Sequence, residues 1–157
     1  MRISSVVVPV LFVQSIPLGS TTPTCRCVYG EDCWPSASDF SQLASQLSQP
    51  LIHPVPPESA CYPPSSPSGN CTAVLQGTFD GNWRSNQSGS MQNTNFESYY
   101  FPNGTISACY LDTSLGFPCE QGSVPIVGID ARSVGDIQAG VKFASNHNLR
   151  LVVKNTG

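Results

Sequence analysis

Seven cysteines, at positions 25, 27, 33, 61, 71, 109 and 119, offer the most chemistry in this chain of 157 residues. In an oxidising compartment they form disulfides by default. Seven is odd, so at least one thiol stays free, joins another chain, or pairs with something outside this sequence. The overall pairing is left open by the sequence, although Cys61 and Cys71 are placed to pin the Pro-rich stretch between them. Cys25, Cys27 and Cys33 are also dense enough to suggest a metal cluster. No second Cys-x2-Cys or His pair completes a zinc site, and His53 and His147 stand alone, so no metal is expected. Asn70-Cys71-Thr72, Asn86-Gln87-Ser88 and Asn103-Gly104-Thr105 are glycosylation sequons. All three lie in Gly/Ser/Asn-rich stretches that should be exposed, and a bridge at Cys71 would hinder the first.

Composition narrows the class. Charged residues make up 11 % of the chain and the net charge is −3. A nucleic-acid binder needs a basic face for the phosphates, and a membrane-surface module needs a polybasic segment; neither is present in this composition. Arg2, the apolar run Val6 to Val13 and the small residues Ser15, Gly19 and Ser20 make a signal-peptide pattern over 1–20. Cleavage is expected after Ser15 or near Ser20; the competing reading is a buried strand. A membrane span needs about 20 apolar residues, and no run here approaches that. The expected localisation is secreted, into the extracellular space.

The elements that must carry these residues follow from periodicity. Ser36 is an N-cap with Asp39 three residues on, and Phe40, Leu43, Ala44 and Leu47 recur at helical spacing until Pro50. Leu51 and Ile52 read as a short strand, followed by a Pro-rich loop from Pro54 to Gly69. Ala73 to Gln76 reads as a strand, Gly77 to Asn95 as a polar surface excursion, and Glu97 to Phe101 as a strand before the Pro102-Asn103-Gly104 turn. Val124 to Ile129 is a strand-like run. Ser133 and Asp136 repeat the cap pattern, Val134, Ile137, Val141 and Ala144 follow at helical spacing, and Leu149 to Lys154 is a second strand. Strand, helix and strand predict a βαβ unit with parallel strands. Asn155-Thr156-Gly157 then opens a loop beyond the carboxyl end of the second strand, where ligands gather in open α/β sheets.

The stretch from Ile129-Asp130-Ala131-Arg132-Ser133-Val134-Gly135-Asp136 through Phe143-Ala144, and then Leu149-Arg150-Leu151-Val152-Val153-Lys154-Asn155-Thr156-Gly157, resembles the start of a flavin-binding domain. The family is the FAD-linked oxidases of the vanillyl-alcohol oxidase and berberine-bridge type, its secreted fungal members above all. The specific match covers about 118–157. The resemblance implies an α+β chain: a loop-rich, disulfide-pinned leader followed by the first βαβ unit of a PCMH-type FAD-binding domain. It implies three regions: the signal peptide at 1–20, a Cys/Pro/Ser-rich glycosylated region at 21–117, and the truncated start of the FAD-binding domain at 118–157.

It also implies a role for the loop. FAD lies across such a domain, and Lys154, Asn155, Thr156 and Gly157 match the first half of the loop that wraps its pyrophosphate. A Gly/Asn/Thr turn lets backbone N–H groups converge on anionic oxygens. The family's next residue is a histidine that anchors the flavin, which would fall immediately after Gly157. The expected cofactor is therefore FAD and the expected partner a small-molecule substrate, both in a longer enzyme. No catalytic residue is assigned within 1–157, and the piece alone is expected to be inactive. The alternative is a stand-alone secreted glycoprotein that acts as a binding module.

Plainer roles stand beside these. Ser133 is an N-cap, Asp130 and Asp136 suit a helix N-terminus, and His147 is a helix-end residue. Trp34 and Trp83 are packing residues. Tyr99, Tyr100 and Tyr110 reach a substrate cavity only in a larger protein.

Overall fold

The computed structural model describes residues 25–62 and 70–155. The expected signal peptide, Thr156, Gly157 and the prolines at 63, 64 and 67 lie outside the described residues. Among the described residues, four α-helices and two small antiparallel sheets make an α+β arrangement, as expected.

Helix α1 (Ala37–Ala44) and helix α4 (Val134–Asn146) both begin with a capping box, at Ser36/Asp39 and Ser133/Asp136. In each, the serine side chain accepts from the backbone N–H three residues on, and the aspartate carboxylate accepts from the cap residue's own N–H. The two helices pack together, burying Leu43 and Ala144 and setting Phe40 against Phe143 with ring centroids 5.3 Å apart. Trp34 extends this aromatic row, between Tyr29 and Phe40. It is a packing residue, as expected.

Strand β1 (Leu51–Ile52) forms as expected, but its partner is β4 (Gly128–Ile129), antiparallel. The expected parallel βαβ sheet is therefore not made between 124–129 and 149–154. Asn148 explains the departure. It ends α4 in the left-handed region, at φ 53°, and its side-chain amide donates to the Cys25 carbonyl at 2.7 Å. That turn directs Leu149 into a parallel bridge with Cys27. The chain beyond is not in a ladder, and Val153 is 81 % exposed.

The middle departs further. Ala73 to Gln76 lies within helix α2 (Cys71–Gly77), not a strand. The Asn70 side chain caps the Thr72 N–H, and burial falls on Val74 and Gly77, a spacing of three. Gly77 allows Trp83 to pack directly on the helix: an added Cβ would sit 2.3 Å from the indole ring. Gly77 to Asn95 is not a surface excursion. It carries helix α3 (Gly81–Ser85) and buries Thr78, Arg84 and Ser90. A hairpin of β2 (Tyr99–Tyr100) and β3 (Ile106–Ser107) follows, closed by the turn at Gly104.

Three disulfides form, Cys27–Cys33, Cys61–Cys71 and Cys109–Cys119, and Cys25 is free and exposed. The second joins a short 3₁₀ helix (Pro57–Cys61) to the start of α2. Replacing Cys61 and Cys71 by serine is expected to lower stability by about 2 kcal/mol, from the lost constraint on the unfolded loop. Urea unfolding of both forms would measure it.

Candidate functional site

The segment that carries the expected cofactor loop is positioned at both ends. At its start, Leu149 N–H donates to the Ala144 carbonyl at 2.8 Å, and Asn148 ties to Cys25 and to the Arg26 guanidinium. At its end, the Lys154 ammonium donates to three carbonyls, those of Arg84 at 2.9 Å, Gln87 at 2.5 Å and Ser90 at 2.9 Å. An ammonium has three donors, so all are used. Partial burial, then the nearby Arg84 guanidinium, pull Lys154 below its ordinary value of 10.5.

Those carbonyls run from Arg84, in the last turn of α3, into the turn that follows it. Asp80 caps α3 through the Asn82 and Trp83 amides. Arg84 points inward, with its side chain about 5 % exposed, and donates to the Met91 and Thr78 carbonyls and to Glu97. Glu97 accepts the Met91 N–H at 2.8 Å as well. Glu58 is buried beside this pair, and neither of its carboxylate oxygens has a hydrogen-bond partner among the described residues. Burial, then repulsion from Glu58, push Glu97 up to about 7, against the opposing pull of the Met91 N–H and Arg84. Sequence reading missed this cluster entirely. It has no periodicity, and its charges lie far apart in a polar stretch.

The remaining expected residues fall as follows. The N-terminus of α4 is filled by its own Asp136, whose carboxylate accepts from Ser48 N–H, Ser48 hydroxyl, Arg132 N–H and Ser133 N–H. The Ser48 bonds foremost hold Asp136 well below the usual carboxylate range. The Arg132 and Ser133 amides at this helix end are thus taken by a side chain of the chain itself, and the Asp136 amide by the Ser133 hydroxyl. Asp130 pairs with Arg132 at the surface. His147 caps α4 and stacks on Phe143, a helix-end role as expected. Tyr99 and Tyr100 are exposed on the hairpin, and the Tyr110 carbonyl receives the Tyr62 hydroxyl. Cys27, Glu31 and Cys33 come together, but the two sulfurs are bonded to each other and supply no thiolates. Asn70, Asn86 and Asn103 are all exposed.

A flavin pyrophosphate meets a divided reception here. Asn155 is exposed on main chain outside any ladder, which fits a loop that turns its backbone to an anion. The Lys154 side chain does not fit, because its donors are spent on the 84–90 turn.

No protein-family model matches the chain. An uncharacterised FAD-linked oxidoreductase of Arthroderma benhamiae is 39 % identical over 135 residues, 86 % of this chain and 22 % of that protein. The FAD-linked oxidoreductase penH of Penicillium thymicola is 34 % identical across 98 % of this chain and 26 % of its own length. The crystal structure of the VAO-type flavoprotein MtVAO615 from Myceliophthora thermophila superposes with a TM-score of 0.70 at 30 % identity, covering 85 % of this chain and 24 % of that one. A second VAO-type flavoprotein from the same fungus, MtVAO713, gives 0.62 at 28 % identity, covering 83 % and 22 %. The chain spans about a quarter of the length of the curated relatives it matches.

Proposed function

We propose that this chain, a relative of the FAD-linked oxidoreductases of the VAO type, is the N-terminal part of a secreted FAD-dependent oxidase. The observation that carries the reading is an apolar face that the chain leaves open. On α4, Val134, Ile137 and Val141 share one side and are 70 %, 57 % and 50 % exposed. Of the expected core stripe only Ala144 faces inward, joined there by Asp136 and Gly140. Leu151, Val152 and Val153 are also exposed. A helix with apolar residues at this spacing normally packs against another layer. In a longer oxidase, that layer is the remainder of the flavin domain.

In this reading the main chain from Asn155 through Thr156 and Gly157 meets the FAD pyrophosphate. FAD, when bound, accepts a hydride from an alcohol, amine or carbon centre and passes electrons to oxygen. The residues described here hold the wall against which it lies, and supply neither a base nor a substrate pocket. Export and glycosylation belong to the same proposal. Three disulfides and three exposed sequon asparagines support them.

The visible spectrum tests the proposal. The purified 157-residue chain should show no flavin band, and a chain extended past Gly157 through the flavin domain should carry FAD stoichiometrically. An extended protein without flavin, or a bare chain with a stoichiometric band bleached by substrate, would overturn it.

A further inference from the structure

The structure assigns Lys154 to positioning: its ammonium fastens the 149–155 segment onto the 84–90 turn and so sets the loop that starts at Asn155, and it is not a phosphate ligand. The inference rests on the proposed flavin reading for what the loop binds, but not for the fastening itself.

The geometry of the receiving turn carries the argument. Carbonyls at 84, 87 and 90 converge on one nitrogen, leaving it no donor for an anion. Such a cup is useful only if the turn is rigid, and this turn is held from three directions. Arg84 grips it from within through the Met91 and Thr78 carbonyls. Glu97 closes the same ring by pairing with Arg84 and accepting the Met91 N–H. Gly89 lies so close to the Val55 backbone that an added Cβ would be 1.8 Å from its carbonyl oxygen. The segment being fastened has little else. After the Cys27–Leu149 bridge it joins no ladder, and its apolar side chains at 151, 152 and 153 are exposed. A single polar anchor at its far end therefore fixes where the next residues emerge. Three carbonyls converging on one nitrogen, with no carboxylate in a salt bridge to it, also fit a point charge on a flexible stem better than a planar guanidinium.

The test separates fastening from flavin binding. In the 157-residue chain, Lys154→Met should speed hydrogen–deuterium exchange of the 84–91 and 150–155 amides at least about tenfold, leaving the α1 and α4 amides unchanged. Lys154→Arg should restore part of that protection. Unchanged exchange in both segments would overturn the fastening. In the FAD-loaded extended protein, Lys154→Met should weaken FAD binding about tenfold while leaving its dependence on salt as in the wild type, since no cation is removed from the phosphates. A shallower salt dependence would identify Lys154 as a phosphate ligand and overturn the proposal. If the wild-type extended protein binds no FAD, the flavin reading fails, and the exchange result still decides the fastening.

Discussion

Arg84→Met is expected to lower the unfolding free energy by about 3–5 kcal/mol, because it strands a buried carboxylate. The guanidinium is the only cation that contacts Glu97 among the described residues, and Glu58 lies beside it with neither oxygen bonded. Removing the cation leaves two buried acids facing each other. Arg84 also serves the Met91 and Thr78 carbonyls, so the turn after α3 would open as well. Urea unfolding should show the loss, and a companion Glu97→Leu change in the same background should recover much of it. If the single variant is as stable as the wild type, the cluster does not hold the middle of the chain together.

The same cluster gives the wild type a pH slope. Glu97 stands at about 7 in the fold against an ordinary 4.5. A carboxyl raised on folding binds its proton more tightly in the native state, so its contribution is complete below 4.5 and disappears as pH rises through 7. Stability should therefore fall between pH 5 and pH 8, and Glu97→Gln should flatten that fall. Arg84 and Glu58 are the charged groups that act on Glu97 directly, while Lys154 lies on the outer side of the same turn. A wild-type profile that climbs across this window would contradict the assignment.

Asp136→Ala is the second large effect, with an expected drop in Tm on the order of 10–15 °C. Asp136 is 2 % exposed and accepts four hydrogen bonds, two from Ser48 and two from the amides of Arg132 and Ser133. It is at once the N3 partner in the capping box of α4 and the tie from α4 to the chain after α1, across 88 positions of sequence. Alanine would leave the Ser48 and Arg132 amides without their acceptor. Ser133→Ala removes only the local half of the arrangement, so its Tm should fall much less. Because folding lowers the Asp136 pKa, its contribution is complete above its ordinary value of 3.8 and is lost as pH drops below it. The two carboxylates thus confine the stable range from opposite sides, Asp136 in acid and Glu97 towards alkaline pH. Equal Tm losses for Asp136→Ala and Ser133→Ala would show that the link to Ser48 contributes nothing.

What sequence reading anticipated was local. Ser36 and Ser133 satisfy amides within three residues of themselves, so their cap patterns announce helices without knowledge of the fold. Leu51 and Ile52 formed a strand for a similar reason, being two apolar residues between turn formers. The failures were set by distant partners. Ala73 to Gln76 has strand-like residues, but the Asn70 cap and the Trp83 ring on Gly77 favour a helix. Leu149 to Lys154 is as β-prone as any stretch in the chain, yet Asn148 turns it towards Cys27 and away from β4. The 84–97 cluster had no signature at all, because a buried Arg, two Glu and a Lys 70 positions from Arg84 become neighbours only when folded.

The three disulfides span separations of only 6, 10 and 10 residues. The ties between distant parts of the described chain are non-covalent: the packing of α1 on α4, and hydrogen bonds such as Ser48 to Asp136, Gln121 to Pro54 and Lys154 to the 84–90 turn. Oxidation therefore needs none of the long-range contacts to be in place first. Each cysteine finds its partner by closing a short loop, which is fast and needs no tertiary scaffold. A chain emerging into an oxidising space can complete its covalent pattern while still expanded, with the slower long-range contacts added to segments already stapled. Cys27 and Cys33 close their own small ring, and Cys25 is left as the odd thiol.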